Sequence, residues 1–442
     1  MIELAVSCVL IVAIMFCGVP VAYSFLWGSL FYLLITHQSL GAVVTTSFNA
    51  ANAYAYLAIP LFILAGRLMV ETSIAQRLVM LAEVMVRKVK GGMACAIVVA
   101  AAFFGTITGS DIATANAVGA IMFPPMLKMG WDKRYIGVVL AVAAPLGFMI
   151  PPNSNAILYA TVSNASIAQL FLSTVIPGVI WAALIMVINR VMHVKYFHPE
   201  KADPETKLMI QKREESGLSW GRELGQSTYK AIPALIMPIV ILGGIYSGLF
   251  TATEAGGIGC LYAIVAGLIL FHAMSVRRTW QTFTDTSKDV GVIMLIIATS
   301  AVFNRILLLE QMPTKIAEGL IGVTDNPLLI LLFIDIIFII AGCFISPPVI
   351  IVVITPLLIP TARLIGVGDI QLGVMLFVSI GIGVITPPMA GNLFISARMA
   401  KCSVGDLLKP LMPYLFLAGI PVLLLVTYVP WLSEWLPSLI AK

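Results

Sequence analysis

The sequence predicts an all-α polytopic membrane protein, an inverted-topology repeat with two re-entrant hairpins and two broken helices. Three observations predict it. Of the 442 residues, 60% are hydrophobic and only 11% charged, with a mean hydropathy of +1.03. Soluble domains carry about 25% charged residues, so lipid must be the solvent for most of this chain. A Pro-Pro pair also interrupts a glycine-containing apolar run twice, at Pro151-Pro152 and at Pro387-Pro388, 236 positions further on. Glycines and prolines around the two pairs match at that same spacing.

Backbone groups find no water in hydrocarbon, so spanning segments are helices or a closed barrel. The apolar runs here are long, unalternating and rich in Leu, Ile, Ala and Gly, whereas barrel strands alternate over about ten residues. The class is therefore all-α. The first segment, from Leu4 onward, has no basic flank before it and no small-residue cleavage site, and reads as a retained helix. Cys8, Cys17, Cys95, Cys260, Cys343 and Cys402 lie in apolar runs without CxxC spacing and read as small buried thiols. His37, His193, His198 and His272 lie near segment ends and form no ligand cluster. The net charge of +5 sits in loops expected to be cytoplasmic, so the bilayer is the implied partner and nucleic acid is not.

The repeat is the most informative feature. At a spacing of 236, Ser110 meets Ser346, Pro124 meets Pro360 and Gly130 meets Gly366; Gly137 meets Gly373, Gly147 meets Gly383 and Pro177 meets Pro413. Ungapped agreement of Gly and Pro over this length indicates duplication. Arg87, Lys88 and Lys90 precede the first hairpin and Lys128, Lys133 and Arg134 follow it, while the matching stretches of the second half hold only Arg363. Conversely, 161–166 is uncharged and its counterpart holds Arg398 and Lys401. Positive loops stay cytoplasmic, so equivalent loops face opposite sides and the repeat is inverted. The halves are residues 1–195 and 230–442, joined by a polar cytoplasmic linker at 196–229 in which Trp220 and Leu224 suggest a surface-lying amphipathic piece.

Hairpin 1, about 91–127, starts and ends among cytoplasmic charges and has a polar middle, Thr106 to Asp111. Its counterpart, about 327–359, has the tip Gly342 to Pro348. Each is followed by an interrupted helix, about 134–161 and about 369–397. A proline removes a helical donor and clashes with the carbonyl four residues back, so a glycine-flanked pair frees carbonyls and amides near the bilayer middle. Such groups are tolerated only when buried in protein or lining a wet cavity. Freed carbonyls suit Na⁺ as a coupling ion, with Gly109, Ser110, Gly147, Pro151, Ser346, Gly383, Thr386 and Pro387 as candidates. Freed amides and polar side chains suit a carboxylate or another anion, with Ser110, Asp111, Asn153, Asn155, Ser346 and Asn392 as candidates.

With these motifs in view, the chain resembles the large membrane subunit of tripartite ATP-independent periplasmic (TRAP) transporters. The family's Gly-Ser tip followed by Ala-Thr is matched by Gly109-Ser110-Asp111-Ile112-Ala113-Thr114. Its following elements look like Pro124-Pro125-Met126, Gly130-Trp131, Ile150-Pro151-Pro152-Asn153 and Tyr159. In the second half Gly243 to Glu254, Ile385-Thr386-Pro387-Pro388 and Gly391-Asn392-Leu393-Phe394 carry the likeness. The resemblance covers essentially the whole chain. It implies a secondary transporter of small organic anions, carboxylates or sulfonates, in a bacterial inner membrane. It further implies coupling to Na⁺ and an elevator movement of a hairpin-containing domain. The partners it implies are a periplasmic substrate-binding protein and a small TRAP membrane subunit.

Two positions depart from the family pattern. Asp111 stands where a small neutral residue is usual, and Ser346-Pro347-Pro348 stands where an acidic residue before one proline is common. An intramembrane Asp is costly and marks function by default. Asp111 could add charge to a cation site, select a substrate with a positive group, or cap the second hairpin helix. Glu254, after Thr251 and Thr253, reads as a cap or scaffold contact; Asp335 lies deep in the second hairpin with no assigned partner. Arg67, Arg87 and Arg277 read as anchors at cytoplasmic segment ends, and Arg77 to Lys90 as an amphipathic interfacial arm.

The competing readings are a binding-protein-independent dicarboxylate carrier and a proton-translocating respiratory subunit. The second needs a file of Lys, Glu and His through the membrane, which the sequence lacks. No metal-ligand cluster or nucleophile–base constellation points to an enzyme.

Overall fold

A computed structural model describes residues 2–72, 74–205 and 219–440. Among the described residues there is no β-strand; the one bridge pairs Trp131 with Phe197. Among the described residues, eight helices are long and apolar enough to cross a membrane, or nine when one bent pair is taken as a single span. The protein is a multi-pass membrane protein.

The first half opens with α1 (Ile2–Phe16), α2 (Val21–Ile35) and α3 (Gly41–Ala51). After α4 (Tyr54–Glu71) comes α5 (Ile74–Val86), the expected amphipathic arm. Then follow α6 (Gly92–Thr108), α7 (Asp111–Lys128), the bent pair α8 (Lys133–Met149) and α9 (Ser154–Ser163), and the long α10 (Ile167–Tyr196). The second half runs α11 (Trp220–Tyr246), α12 (Ala252–Leu270), α13 (Val276–Leu309) and α14 (Met312–Val323). It continues with α15 (Pro327–Phe344), α16 (Pro347–Leu364), α17 (Asp369–Gly383), α18 (Gly391–Ala400), α19 (Val404–Tyr428) and α20 (Trp431–Ser438).

The helix limits repeat with the sequence. Helix α16 starts and ends 236 positions after α7, and α17 starts 236 positions after α8. Proline chemistry sets the local distortions. Pro356 brings no N–H to the carbonyl of Val352; the backbone there widens into a π-helical turn, and Asn304 Nδ2 of α13 donates to that carbonyl at 2.6 Å. Near the turn at Ala144-Pro145, Trp181 Nε1 of α10 donates to the Val142 carbonyl at 3.0 Å.

The halves interlock. Helix α8 lies on α18, and α17 packs beside α9 and α10. Lipid gives helices no hydrophobic reason to associate, so close packing at small residues and buried hydrogen bonds must hold them. A side chain on Gly373 would meet the Tyr159 ring at 2.8 Å, and one on Gly137 would meet Ala400 and the Ser396 carbonyl at 3.4 Å. Tyr159 Oη donates to the Asp369 carbonyl at 2.5 Å, tying α9 to the first residue of α17. A smaller cluster joins α1, α2, α13 and the start of α16 through Leu4, Phe25, Tyr32, Phe303 and Val349.

Two expectations change. Helix α11 begins at Trp220, so the last ten residues assigned to the linker are already helical, and the remainder of that stretch falls partly outside the described residues. Trp220 and Leu224 belong to this continuous helix, not to a separate surface piece. Its first turns dock on the amphipathic arm: Trp220 Nε1 donates to the Val84 carbonyl at 2.9 Å, and Arg87 pairs with Glu223. The cysteines are not uniformly buried. Cys95, Cys260 and Cys343 are and Cys402 is half-buried, but Cys17 is exposed, and so is Cys8, because α1 buries only Leu4, Ser7 and Ile11.

Candidate functional site

Helix α6 ends at Gly109, whose φ of +58° turns the chain in the left-handed region where glycine is favoured. Ser110 then caps α7, its Oγ accepting from the Ala113 N–H at 3.4 Å. Asp111 is thus the first residue of α7, one past the Ser110 cap; its carboxylate faces the first-turn N–H groups of Asp111 and Ile112, as the capping reading expects.

The tip sits on the first break, Ile150 to Asn153, with almost no space between the backbones. A Cβ on Gly109 would lie 2.8 Å from Asn153 Cα, and one on Gly147 would lie 2.6 Å from the Ser110 carbonyl and Thr114 Oγ1. Gly66 of α4 approaches from the other side, where a Cβ would lie 2.9 Å from Thr108 Cα. Here small residues permit contact that any side chain would prevent.

These approaches gather oxygens. Thr108 Oγ1 lies 3.2 Å from Thr114 Oγ1 and 3.4 Å from the Ser110 carbonyl. Pro151 and Pro152 bring no N–H, so the carbonyls of Gly147 and Phe148 lose the donors a continuous helix would supply. Neutral hydroxyl and carbonyl oxygens packed at one helix break are a donor set for a hard cation. Thr108 and Thr114 are the residues that motif reasoning missed. The signal was the Thr-x₅-Thr spacing across the tip, visible in sequence but common in apolar helices.

The second tip is built differently. Gly342, one turn before it, packs on Gly383, whose Cβ would lie 2.6 Å from the Gly342 backbone. The Gly383 carbonyl accepts from Thr386 N at 2.9 Å, and the Val384 carbonyl from Asn392 N at 3.2 Å, so this break satisfies its own backbone. Thr386 Oγ1 donates to the Ile382 carbonyl at 2.7 Å. Ser346 is exposed at the start of α16 with no capping bond from its side chain, and Pro387 is half-buried. Both Pro-Pro bonds are cis.

The two halves meet at Asp111. Its carboxylate, 7% exposed, accepts from Asn392 Nδ2 of α18 at 3.0 Å. Asn392 Oδ1 is buried without a partner. Asn153 caps α9, its Oδ1 accepting from Ala156 N at 2.6 Å, and its Nδ2 is buried without a partner. Asn155 is buried on the same first turn. The structure therefore brings Gly109, Ser110, Asp111, Gly147, Pro151, Asn153 and Asn392 together, and leaves Ser346 and Thr386 at a second, more open locus. Among the described residues no three His, Cys, Asp or Glu side chains cluster around a metal position.

The remaining charges hold the frame. Glu254 forms a capping box with Thr251. Arg67 pairs with Asp289, and Arg278 with Glu71 at 2.8 Å, both between α4 and α13. A cavity of about 360 Å³ opens between these helices and Ala113 and Asn116 of α7, lined also by Arg67, Glu71 and Arg278.

Comparison with known proteins fixes the family. Residues 8–432 match the model described as "Tripartite ATP-independent periplasmic transporter, DctM component". The chain is 32% identical to the C4-dicarboxylate TRAP transporter large permease protein DctM of Vibrio cholerae, over 98% of this chain and 97% of that one. It is 28% identical to the sialic acid large permease SiaM of the same organism, over 95% and 97% of the two chains. It is 29% identical to the isethionate permease protein DctMQ of Oleidesulfovibrio alaskensis, over 93% of this chain and 63% of that one. Among solved structures, the YdaH transporter of Alcanivorax borkumensis shares the fold, with a TM-score of 0.60 at 15% identity over 89% and 88% of the chains. MtrF of Neisseria gonorrhoeae gives 0.61 at 14% over 88% and 84%. With a family match along nearly its full length and the fold of membrane transporters, this chain is a transport protein and not an enzyme, and belongs to the DctM family of TRAP transporter large permeases.

Proposed function

We propose that this permease imports a small organic anion, a carboxylate or sulfonate, across the bacterial inner membrane in symport with Na⁺. It works with a periplasmic substrate-binding protein and a small TRAP membrane subunit. The relatives are named for C4-dicarboxylates, sialic acid and isethionate, which are acids of this kind. The fused DctMQ relative supports a two-part membrane unit.

One observation carries the sodium reading: the oxygens of Thr108, Ser110 and Thr114 are packed against the break at Gly147. Electrostatics adds to it. Asp111 places a buried carboxylate beside the polar groups of Asn153 and Asn392, and an anionic substrate approaching that charge is repelled unless a cation enters with it. Sodium so placed is cargo, and its arrival completes the anion site.

The elevator reading rests on the repeat. In an inverted pair, hairpins and broken helices form a unit that can slide against α4 and α13. The test is uptake by the three-component assembly in proteoliposomes with an imposed Na⁺ gradient. Uptake should require the gradient and both partners, and S110A or S346A should weaken the sodium dependence. Uptake by this chain alone would favour the binding-protein-independent carrier, and unchanged sodium titrations in both variants would remove ion sites from the tips.

A further inference from the structure

Helix α15 (Pro327–Phe344) has a mean hydropathy of 2.7 and carries one charged residue, Asp335. That side chain is 1% exposed. It lies eight residues from the helix start and ten from the tip at Ile345, so about 12 Å from one end and about 15 Å from the other. No cation pairs with it among the described residues; its partners are two hydroxyls. Thr427 Oγ1 of α19 lies 2.7 Å from Asp335 Oδ2, and Ser379 Oγ of α17 lies 3.5 Å from Oδ1.

Counting hydrogens at Thr427 is decisive. Its Oγ1 is also 2.8 Å from the Leu423 carbonyl. A threonine hydroxyl brings one hydrogen, and neither a carbonyl nor a carboxylate brings any. Both contacts are full two-centre hydrogen bonds at once only when Asp335 carries a proton on Oδ2, donating to Thr427 Oγ1 while Thr427 donates to Leu423. An ionised Asp335 forces Thr427 to choose, leaving either a buried charge or a short oxygen–oxygen contact without its hydrogen.

Among the described residues, the elements packed on α15 hold no cation that pairs with the charge. On α17 the one charged residue is Asp369, ten residues from Ser379 and paired with Arg363 of α16 at 2.7 Å. The facing turns of α17 and α19 add uncharged Gln371, whose Nε2 caps the Thr427 carbonyl at 2.9 Å. The part of α16 packed on α15 is the Ile-Val run 350–354. On α19, Asp406 and Lys409 lie at the opposite end, and the nearby titratable group is Tyr428, which donates to the Leu328 carbonyl at 3.0 Å. Tyr428 is partly exposed, so the cluster lies one residue from a surface.

We propose that Asp335 is a proton-binding site, and that a proton taken up from water on Oδ2 and released again is coupled to transport. The locus is separate from Gly109–Asp111 and from the Pro387 break. The coupling rests on the transport reading above; the site does not.

Two measurements test it. In the first, the purified full-length permease in lipid nanodiscs is titrated with pH and followed by infrared absorption, the probe being the proton alone. A carboxylic-acid carbonyl band should appear and vanish reversibly, be absent from D335N, and change position in T427V, where the acid loses its acceptor. A spectrum identical in wild type and D335N overturns the site, and so does a band that never titrates. Should D335N fail to insert, T427V still supplies the comparison. In the second, uptake by the assembled transporter is measured at fixed Na⁺ gradient over a pH series, with succinate, sialic acid and isethionate as probes. Wild-type rates should vary with pH and D335N rates should not; the same pH profile in both overturns the coupling. If the wild-type assembly moves none of the probes, the coupling as proposed for these anions is refuted while the infrared titration still judges the site.

Discussion

Asn392 Nδ2 donates to Asp111 Oδ2 at 3.0 Å, so the hairpin tip of one half is hydrogen-bonded to the helix break of the other. Their counterparts across the repeat are Ala156 and Pro347, which cannot make the bond. This polar link between the halves is therefore not duplicated. Replacing Asn392 by Ala leaves Asp111 without a side-chain donor and should cost about 1–3 kcal/mol of stability, read as a lower unfolding temperature in detergent. D111N keeps the shape with a smaller stability cost and should alter the cation dependence of uptake. A wild-type sodium titration in D111N would reduce Asp111 to a structural role.

Glycine contacts make a second prediction, with its own control. A methyl group at Gly147 or Gly383 would lie 2.6 Å from fixed backbone. G147A and G383A should each lose about 1–3 kcal/mol. At Gly257, in α12, a Cβ would meet nothing within 4 Å, and G257A should be neutral or up to about 1 kcal/mol stabilising. Equal behaviour of all three would mean that the tip does not seat on the break as described.

If the threonine oxygens at the first tip hold sodium, Na⁺ should raise the unfolding temperature of the permease by mass action. T108V and T114V preserve volume and remove one oxygen each. The sodium concentration giving half the stabilisation should rise about tenfold in each, equivalent to about 1.4 kcal/mol. Potassium should not substitute. An unchanged half-point in both variants places the ion elsewhere.

Just before the span that begins at Lys133, Asp132 caps α8, accepting from Arg134 N at 2.8 Å and Nη2 at 2.7 Å. Partial burial pushes its carboxyl up, but the Arg134 side chain and N–H outweigh burial and the net displacement is downward. A lowered folded value means that the stabilisation is complete above the unfolded value and is lost as pH falls through the folded one. D132A should therefore cost about 1 kcal/mol near neutrality, and the difference in melting temperature from wild type should shrink in acid. A gap that widens in acid would contradict the assignment.

Much of the frame was legible in sequence because lipid leaves few options. The Gly and Pro positions 236 residues apart located α7 against α16 and α8 against α17, since backbone needs survive duplication when side chains drift. The breaks were legible because proline lacks a hydrogen. Side-chain partnerships were not. Nothing in sequence tied Asn392 to Asp111, 281 positions away, or Asp335 to Thr427, because such contacts depend on helix rotation and crossing. The two breaks look alike as text, yet the second satisfies its Gly383 and Val384 carbonyls through Thr386 and Asn392. Trp220 was misread because a polar first turn conceals the start of a helix whose apolar part comes later.

The interlocking of α8 with α18 has a consequence for how the chain is made. Gly137 packs on Ser396, so a helix laid down in the first third of synthesis waits for one made near the end. At about 5–20 residues per second that wait is roughly 13–50 s. Throughout it the first break has its own tip to cover one side and no Asn392 for the carboxylate of Asp111. A membrane protease that surveys nascent chains would find its best substrate in this half-finished molecule, and abundance in the cell would respond to translation speed across the second half.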